Sequence, residues 1–367
     1  TAYEIPKRDW SSDVCSSDLN DLTVGGRDGS DFQNLQRNKR SITLNLKHDE
    51  GVAILKRMIA ATDVLVENFR PGVMARLGVG YDAARAINPR LVFASVSGFG
   101  QDGPYRDRPG FDQIAQGMGG LMSITGAPGQ GPMRVGIPIT DLCAGLMCAQ
   151  GILLALLERE RSGEGQWVTT SLLESQIFML DFQASRWLND GTVPQQAGNN
   201  HPTSIPTGAF RTADGAINIA ASGQIIWERL CRAIGAEALL DDPAYATEAA
   251  RSVNRDALTG EIERRLAAAS SAQWIDRLNA AGVPCGPIYS IDQVFSDPQV
   301  RNLNMVRTLP SPHYSPLRVV AQPVRLSRTP SEMRCRPPER GEHSVEVLGQ
   351  LGYTPSQVAD LRHRGVI

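Results

Sequence analysis

Apolar and polar positions alternate over Ser41-Ile-Thr-Leu-Asn-Leu46, a pattern that predicts a half-buried strand. Over Gly51–Ala61 the period changes, and Val52, Leu55 and Ile59 share one face of a predicted helix. Asp63-Val-Leu-Val-Glu67 is a short apolar strand that runs into the loop Asn68-Phe-Arg-Pro-Gly72. Tyr81–Ile87 predicts a short helix, and Leu91-Val-Phe-Ala-Ser-Val96 a buried strand that ends in Ser97-Gly-Phe-Gly100. Strands and helices in this alternation predict a parallel sheet with helices on its faces.

A glycine-rich stretch, Gly110–Gly136, leads to Ile139-Thr-Asp141 and a long helix from Leu142 to about Arg161, closed by Ser162-Gly-Glu-Gly165. The run Leu142–Leu157 is apolar enough to suggest a membrane span. It is short for one, carries Gln150 and meets Glu158-Arg-Glu-Arg161, so a buried core helix is expected and no membrane partner. Gln166–Ser171 reads as a strand, and polar turns over 191–207 read as a linker. Gly208–Gly215 and Ala216–Ala221 predict a hairpin, followed by helices at Ile226–Ile234, Arg255–Ala268 and Ala272–Ala281 and a strand from Val283. Residues 208–300 thus form a predicted smaller α+β domain. Residues 301–338, Pro-rich and extended from Pro310, form a return linker. Two short helices over 339–367 are expected to pack back on the large domain, whose first part is 21–190.

A length of 367 residues suits about two domains. With 41% apolar and 21% charged residues, bulk disorder is excluded. A net charge of −2 argues against a nucleic-acid partner, so any anion site must be a local cluster of Lys and Arg. The six cysteines form no C-x-x-C pair, which predicts no metal site, and the absence of a disulfide framework points to a reducing, cytoplasmic setting. Asp13-Val-Cys-Ser-Ser-Asp-Leu19 is the translation of a common sequencing-adapter end, so residues 1–20 are set aside from fold reasoning as a non-native segment.

Three features carry candidate chemistry. Asp141 stands just before the long helix, where free amides and the helix dipole favour a carboxylate; spacing alone favours a plain N-cap, and the Gly- and Pro-rich loop before it, open to close approach by a ligand, argues for more. Arg37-Asn-Lys-Arg40 with Lys47, and Asn68-Phe-Arg70 with Arg76, are basic segments at the ends of candidate βα units, suited to a phosphate-bearing nucleotide or merely to a solvated face. The glycine turns Ser97–Gly100 and Gly117–Gly120 gain interest only if Asp141 faces them. No Walker A motif is present, neither NAD nor ATP is signalled, and no Ser/His/Asp set is legible. His201, in Gly198-Asn-Asn-His-Pro202, reads as structural.

Several ordered segments resemble the class III CoA-transferases. They are Arg37–Leu44, Asp63–Gly72, Asn88–Val92, Ser97–Pro104, Gly136–Gly145, Ala281–Pro287, Asp297–Val300 and Gly341–Val345. The resemblance implies a Rossmann-like large domain with a smaller α+β domain, in a homodimer of interlocked rings. It implies that CoA passes from an acyl-CoA donor to a small carboxylic acid, with coenzyme A as substrate and no permanently bound cofactor. The family's nucleophilic aspartate falls on Asp141, and its CoA-contacting positions on Leu44, Lys47, Asn68, Phe69, Arg70 and Arg76. The family's opening strand has no counterpart here. Phe111 and Asp112 fall where substrate is positioned. The related α-methylacyl-CoA racemases carry Gly-His-Asp at this place. Here it is Gly110-Phe111-Asp112, and a phenyl ring cannot exchange a proton, which favours transfer over racemisation. A non-catalytic acyl-CoA-binding relative is the third reading, opposed by the retained Asp141.

Overall fold

The computed structural model describes residues 3–4, 30–311 and 316–367; the Asp13–Leu19 peptide lies outside them. The described chain divides into two compact units. One holds the residues up to Ala115 with Thr140–Gln176 and Phe295–Ile367, the other Gln116–Ile139 with Ile177–Val294.

The first unit is built on a parallel sheet in the order β3 (Val64–Glu67), β4 (Val92–Ser97), β5 (Trp167–Ser171). A central parallel strand covered on both faces needs a continuous apolar run, and β4 supplies it: Val92, Phe93 and Ala94 are all buried. Tyr81 stacks on Trp167 at 5.4 Å between ring centroids, and Phe93 meets both rings edge-on. The Trp167 indole donates to Ser95 Oγ at 3.0 Å, so its one polar atom is satisfied. Helix Asp49–Ala60 starts under a His48 cap with Asp49 and Glu50 in its first turn, and it buries Ile54, Leu55, Met58 and Ile59. Two late helices complete this core. Ser344–Gln350 and Pro355–His363 bring Val347, Leu348, Val358 and Leu361 against Ile42, Leu44, Ile54 and Ile59. The second of them begins with a Thr354–Gln357 capping box and a proline in its first turn. Burying each such side chain contributes about 1.5–3 kcal/mol.

Several sequence expectations need correction. The strand expected over Ser41–Leu46 is reduced to β2 (Arg40–Ser41). Alternation does put Ile42 and Leu44 inside, but among the described residues no strand pairs with them. Instead Asn45 N donates to Val366 O at 2.8 Å, and Thr43 N donates to Ser344 Oγ at 3.3 Å. A two-residue strand, β1 (Tyr3–Glu4), pairs parallel with β2 where no opening strand was expected. The stretch read as an extended return linker folds in part, because β9 (Val306–Leu309) and β10 (Leu317–Val320) pair antiparallel and bury Leu309, Leu317 and Val319.

The long helix runs from Ile139 to Ser162 and is not a buried core helix in this chain. Thr140, Cys143, Ala144, Cys148, Ala155 and Arg159 face inward, whereas Leu146, Leu153, Leu154 and Leu157 are each at least 60% exposed. By length and composition alone it is long and apolar enough to cross a membrane. Hydrophobicity all round a helix signals burial against something, and here the protein's own residues cover only one side.

In the second unit β6 (Thr207–Arg211), β7 (Ala216–Ala220) and β8 (Cys285–Pro287) form an antiparallel sheet in that order. Strict alternation in β7 buries Ile217 and Ile219. Helices Gln224–Ala233, Arg255–Leu266 and Ser271–Ala280 contribute Trp227, Leu230, Leu258, Ile262, Trp274 and Leu278 to the same core. Arg251, 1% exposed, donates from Nε to Ile205 O and from Nη1 to Tyr245 O and Gln224 Oε1.

Candidate active site

All three strands of the parallel sheet end on one side of the first unit, which gathers the loops after Glu67, Ser97 and Ser171. The long helix runs back across these strands. Arg159 pins its far end at the strand starts, with Nη1 donating to Arg90 O at 2.9 Å and Nη2 to Asp63 Oδ1 at 3.0 Å. Asp141, eighteen residues earlier, is therefore carried about 27 Å along the helix axis towards the carboxyl ends of the strands. There the helix is held by a small apolar cluster of Ala144 with Ala115, Leu172 and Val96.

Close backbone contact joins the turn after β4 to the segment entering helix Asp112–Met118. A Cβ on Gly98 would lie 2.7 Å from Gly110 Cα, and one on Gly110 would lie 2.5 Å from Gly98 Cα. Both positions require glycine for that approach. In the same turn Gly100 N donates to Ser97 Oγ at 3.0 Å, and Gln101 Nε2 is buried without a hydrogen-bond partner. The Gly117–Gly120 stretch is not all turn: Gly117 is helical, and Gly120 caps the next helix at φ +83°.

Asp141 lies within the first turn of the helix, not before it as a cap. It is half-buried, and its carboxyl is pushed up to about 6, first by loss of water and second by the negative charge of Asp112. Asp112 is 5% exposed, and its Oδ1 accepts from Thr140 N at 3.0 Å and from Thr140 Oγ1 at 2.8 Å. Thr140 is fully buried. Phe111 is half-buried and starts the helix through its carbonyl, which accepts from Ile114 N and Ala115 N. Asp112 is thus engaged with the helix start that bears Asp141.

The candidate CoA-contacting residues fall in two places. Asn68, Phe69 and Arg70 form the loop after β3, where Glu67 accepts from Phe69 N at 2.8 Å and turns the chain. Gly72, at φ +80°, starts the helix Val73–Arg76, and a Cβ there would lie 3.3 Å from Arg76 Nη1 and 3.6 Å from Arg106 Nη2. Two guanidinium groups therefore gather over this glycine. Arg106 escaped the sequence reading; the signal that could have found it is Tyr105-Arg-Asp-Arg108, in which Arg108 lies 3.7 Å over the Tyr105 ring. Leu44 and Lys47 stand in the preceding segment, Lys47 exposed and the Leu44 side chain 3% exposed in the core.

In the second unit His201 Nδ1 accepts from Thr203 N and Ser204 N, and its ring stacks on Phe182, so the imidazole holds a turn. A cleft of about 520 Å3 there is lined by Asn199, Asn200, His201, Thr207, Asn218 and Cys285. Among the described residues no group of three His, Cys, Asp or Glu side chains could hold a metal ion.

Asp141 is thus a half-buried carboxylate with a raised affinity for protons in the first turn of the long helix. The chain belongs to CoA-transferase family III, whose model matches residues 9–344, and it is a CoA-transferase. It is 37% identical to the succinate–glutarate CoA-transferase of Agrobacterium fabrum, over 86% of this chain and 79% of that one. It is 40% identical to the acetyl-CoA:oxalate CoA-transferase of Acetobacter aceti, over 75% and 71% respectively. Its fold is similar to that of a CAIB/BAIF family protein from Brucella suis, with a TM-score of 0.79, 33% identity and coverage of 92% of this chain and 88% of that one.

Proposed function

We propose that the protein moves CoA from an acyl-CoA to a small dicarboxylic acid through two covalent states of Asp141. The carboxylate attacks the thioester carbonyl and expels CoA thiolate, leaving a mixed anhydride. The thiolate attacks the aspartyl carbon and releases the donor acid as a carboxylate, leaving an aspartyl–CoA thioester. The acceptor carboxylate then expels the thiolate from that thioester, and the thiolate attacks the acceptor's acyl carbon and frees Asp141. No proton is gained or lost over the cycle. With its carboxyl at about 6, Asp141 is roughly nine-tenths ionised at pH 7, yet more basic than an ordinary carboxylate.

Each addition step places negative charge on an oxygen. In the first turn of the helix, the amides of Ile139 and Thr140 are taken by Ile137 O and Asp112 Oδ1. That of Asp141 is the backbone donor we assign to the oxyanion. Arg70, Arg76 and Arg106 are assigned to the CoA phosphates, with Asn68, Phe69, Lys47 and the Leu44 segment beside them. The dicarboxylic acceptor is proposed from the relatives that act on succinate, glutarate and oxalate. The exposed leucine ridge of the long helix supports a homodimer, and the free thiols among the described residues suit the cytoplasm.

The observation that carries this reading is the Asp141 carboxyl, half-buried and raised in the first helical turn. Incubation with succinyl-CoA or acetyl-CoA, followed by mass spectrometry, is expected to show a hydroxylamine-sensitive adduct on Asp141. A panel of succinate, glutarate, oxalate and malate then identifies the acceptor. Equal CoA transfer by wild type and Asp141→Ala would refute the assignment. Light scattering on a sizing column is expected to give a dimer. A monomer that floats with lipid vesicles would instead give the ridge to a membrane.

A further inference from the structure

Thr140 was not among the candidate residues, yet it is completely buried and makes two donations to a single carboxylate oxygen 28 residues away in sequence. One is from its amide, which would otherwise lack an acceptor at the helix start; the other is from its hydroxyl. A buried carboxylate needs such donors, since an unsatisfied charge in the interior is strongly unfavourable. Asp112 thus acts as an external cap on the turn that carries Asp141, and the Thr140 hydroxyl supplies its carboxylate with a second donor. Its position is itself fixed by the Gly98–Gly110 contact two residues upstream.

We propose that Thr140 is a positioning residue for Asp141: by holding the Asp112 carboxylate with both hydroxyl and amide, it fixes the helix turn from which Asp141 attacks and keeps a fixed negative charge beside it. The proposal rests on Asp141 as nucleophile. Cys143 and Cys148, on the same helix, are buried thiols pushed up by burial, and the Glu174 carboxylate, at the start of helix Leu172–Phe178, accepts from Ser171 Oγ, which in turn accepts from Glu174 N. Thr140 touches no reacting atom; it acts through Asp112 and the backbone.

The test compares Thr140→Val, Thr140→Ser and Asp112→Asn in the full-length protein, with succinyl-CoA as donor and the best acid of the acceptor panel. Valine keeps the shape and removes the hydroxyl. It is expected to lower kcat about 10- to 100-fold, the loss of one hydrogen bond to a charged group, while KM for the acyl-CoA stays within about twofold. Serine restores the donor and is expected to recover kcat to within about threefold. The acid limb of the kcat/KM profile is expected to move to lower pH in Asp112→Asn, because the neighbouring charge is gone, and not to move down in Thr140→Val, which keeps that charge. Unchanged kcat in Thr140→Val overturns the proposal. So does failure of serine to rescue, or the same downward pH shift in both Thr140→Val and Asp112→Asn. Circular dichroism and melting temperature of each variant separate misfolding from loss of positioning, and Thr140→Ser is the variant expected to retain the wild-type fold. Retained transfer and no adduct in Asp141→Asn would instead sink the nucleophile reading, whatever Thr140 does.

Discussion

Replacing Asp141 with asparagine should remove activity and, at neutral pH, make the protein more stable. In the folded chain the carboxyl is raised from 3.8 to about 6, first by burial and second by Asp112. A carboxyl raised on folding binds its proton more tightly in the native state. This group's contribution to stability is therefore most favourable below about pH 4, falls as pH rises from about 4 to 6, and is flat above that. Two pK units correspond to about 3 kcal/mol, and solvent reaching a half-buried group reduces this to about 1–2 kcal/mol at pH 7 and above. Asparagine has nearly the same shape and no charge to bury, so the variant should regain that amount at pH 8 and only about a fifth of it at pH 4. For a unit of this size that is roughly 4 °C in melting temperature. Thermal unfolding of both proteins at pH 4, 6 and 8 measures it. An Asp141→Asn protein that melts at or below wild type at pH 8, or a gain that persists undiminished at pH 4, would show that the carboxylate is not strained by its surroundings. In the active enzyme the same group should give an acid limb in kcat/KM near pH 6.

Three more outcomes are expected. Gly98→Ala or Gly110→Ala puts a methyl carbon into the facing backbone, and should cost about 1–3 kcal/mol in chemical denaturation and lower kcat with it, since the turn and Asp112 move together. Arg76→Ala and Arg106→Ala should each raise KM for the acyl-CoA about 10-fold, leave kcat nearly unchanged and weaken the salt dependence of kcat/KM, as measured in steady-state assays. Arg251→Met should destabilise the second unit by about 3 kcal/mol in a denaturant titration, because Ile205 O and Tyr245 O lose a buried donor that methionine cannot replace.

The fold was legible where period and composition act locally. Tyr81–Ile87 is helical at its expected limits, and β4 follows from an apolar run too long for a half-exposed strand. What depends on distant partners was not. The long helix takes in Thr140 because a carboxylate 28 residues upstream in sequence caps it, so the helix starts earlier than its own sequence predicts and includes Asp141. Ile42–Leu46 has the alternation of a strand, but its amides find acceptors near residue 344 and at Val366. Leu146, Leu153, Leu154 and Leu157 illustrate a different limit: hydrophobicity predicts that a face is covered, and does not say by what. Arg106 sits in an exposed polar turn that resembles solvated surface until Gly72 brings Arg76 beside it.

The way the first unit closes has a consequence during synthesis. Ile42 and its neighbours leave the ribosome about 300 residues before the helices that cover them, since Ser41 and Thr43 pair with residues 302 and 301 positions further on. At about 5–20 residues per second that is a delay of roughly 15–60 s. Throughout it the whole of the second unit is being translated and can fold, while the sheet of the first stands open along one side. The nascent chain should therefore depend on a holdase in that interval, and chains stalled before Ser344 should be recognised as unfinished by the proteases that survey exposed apolar surface.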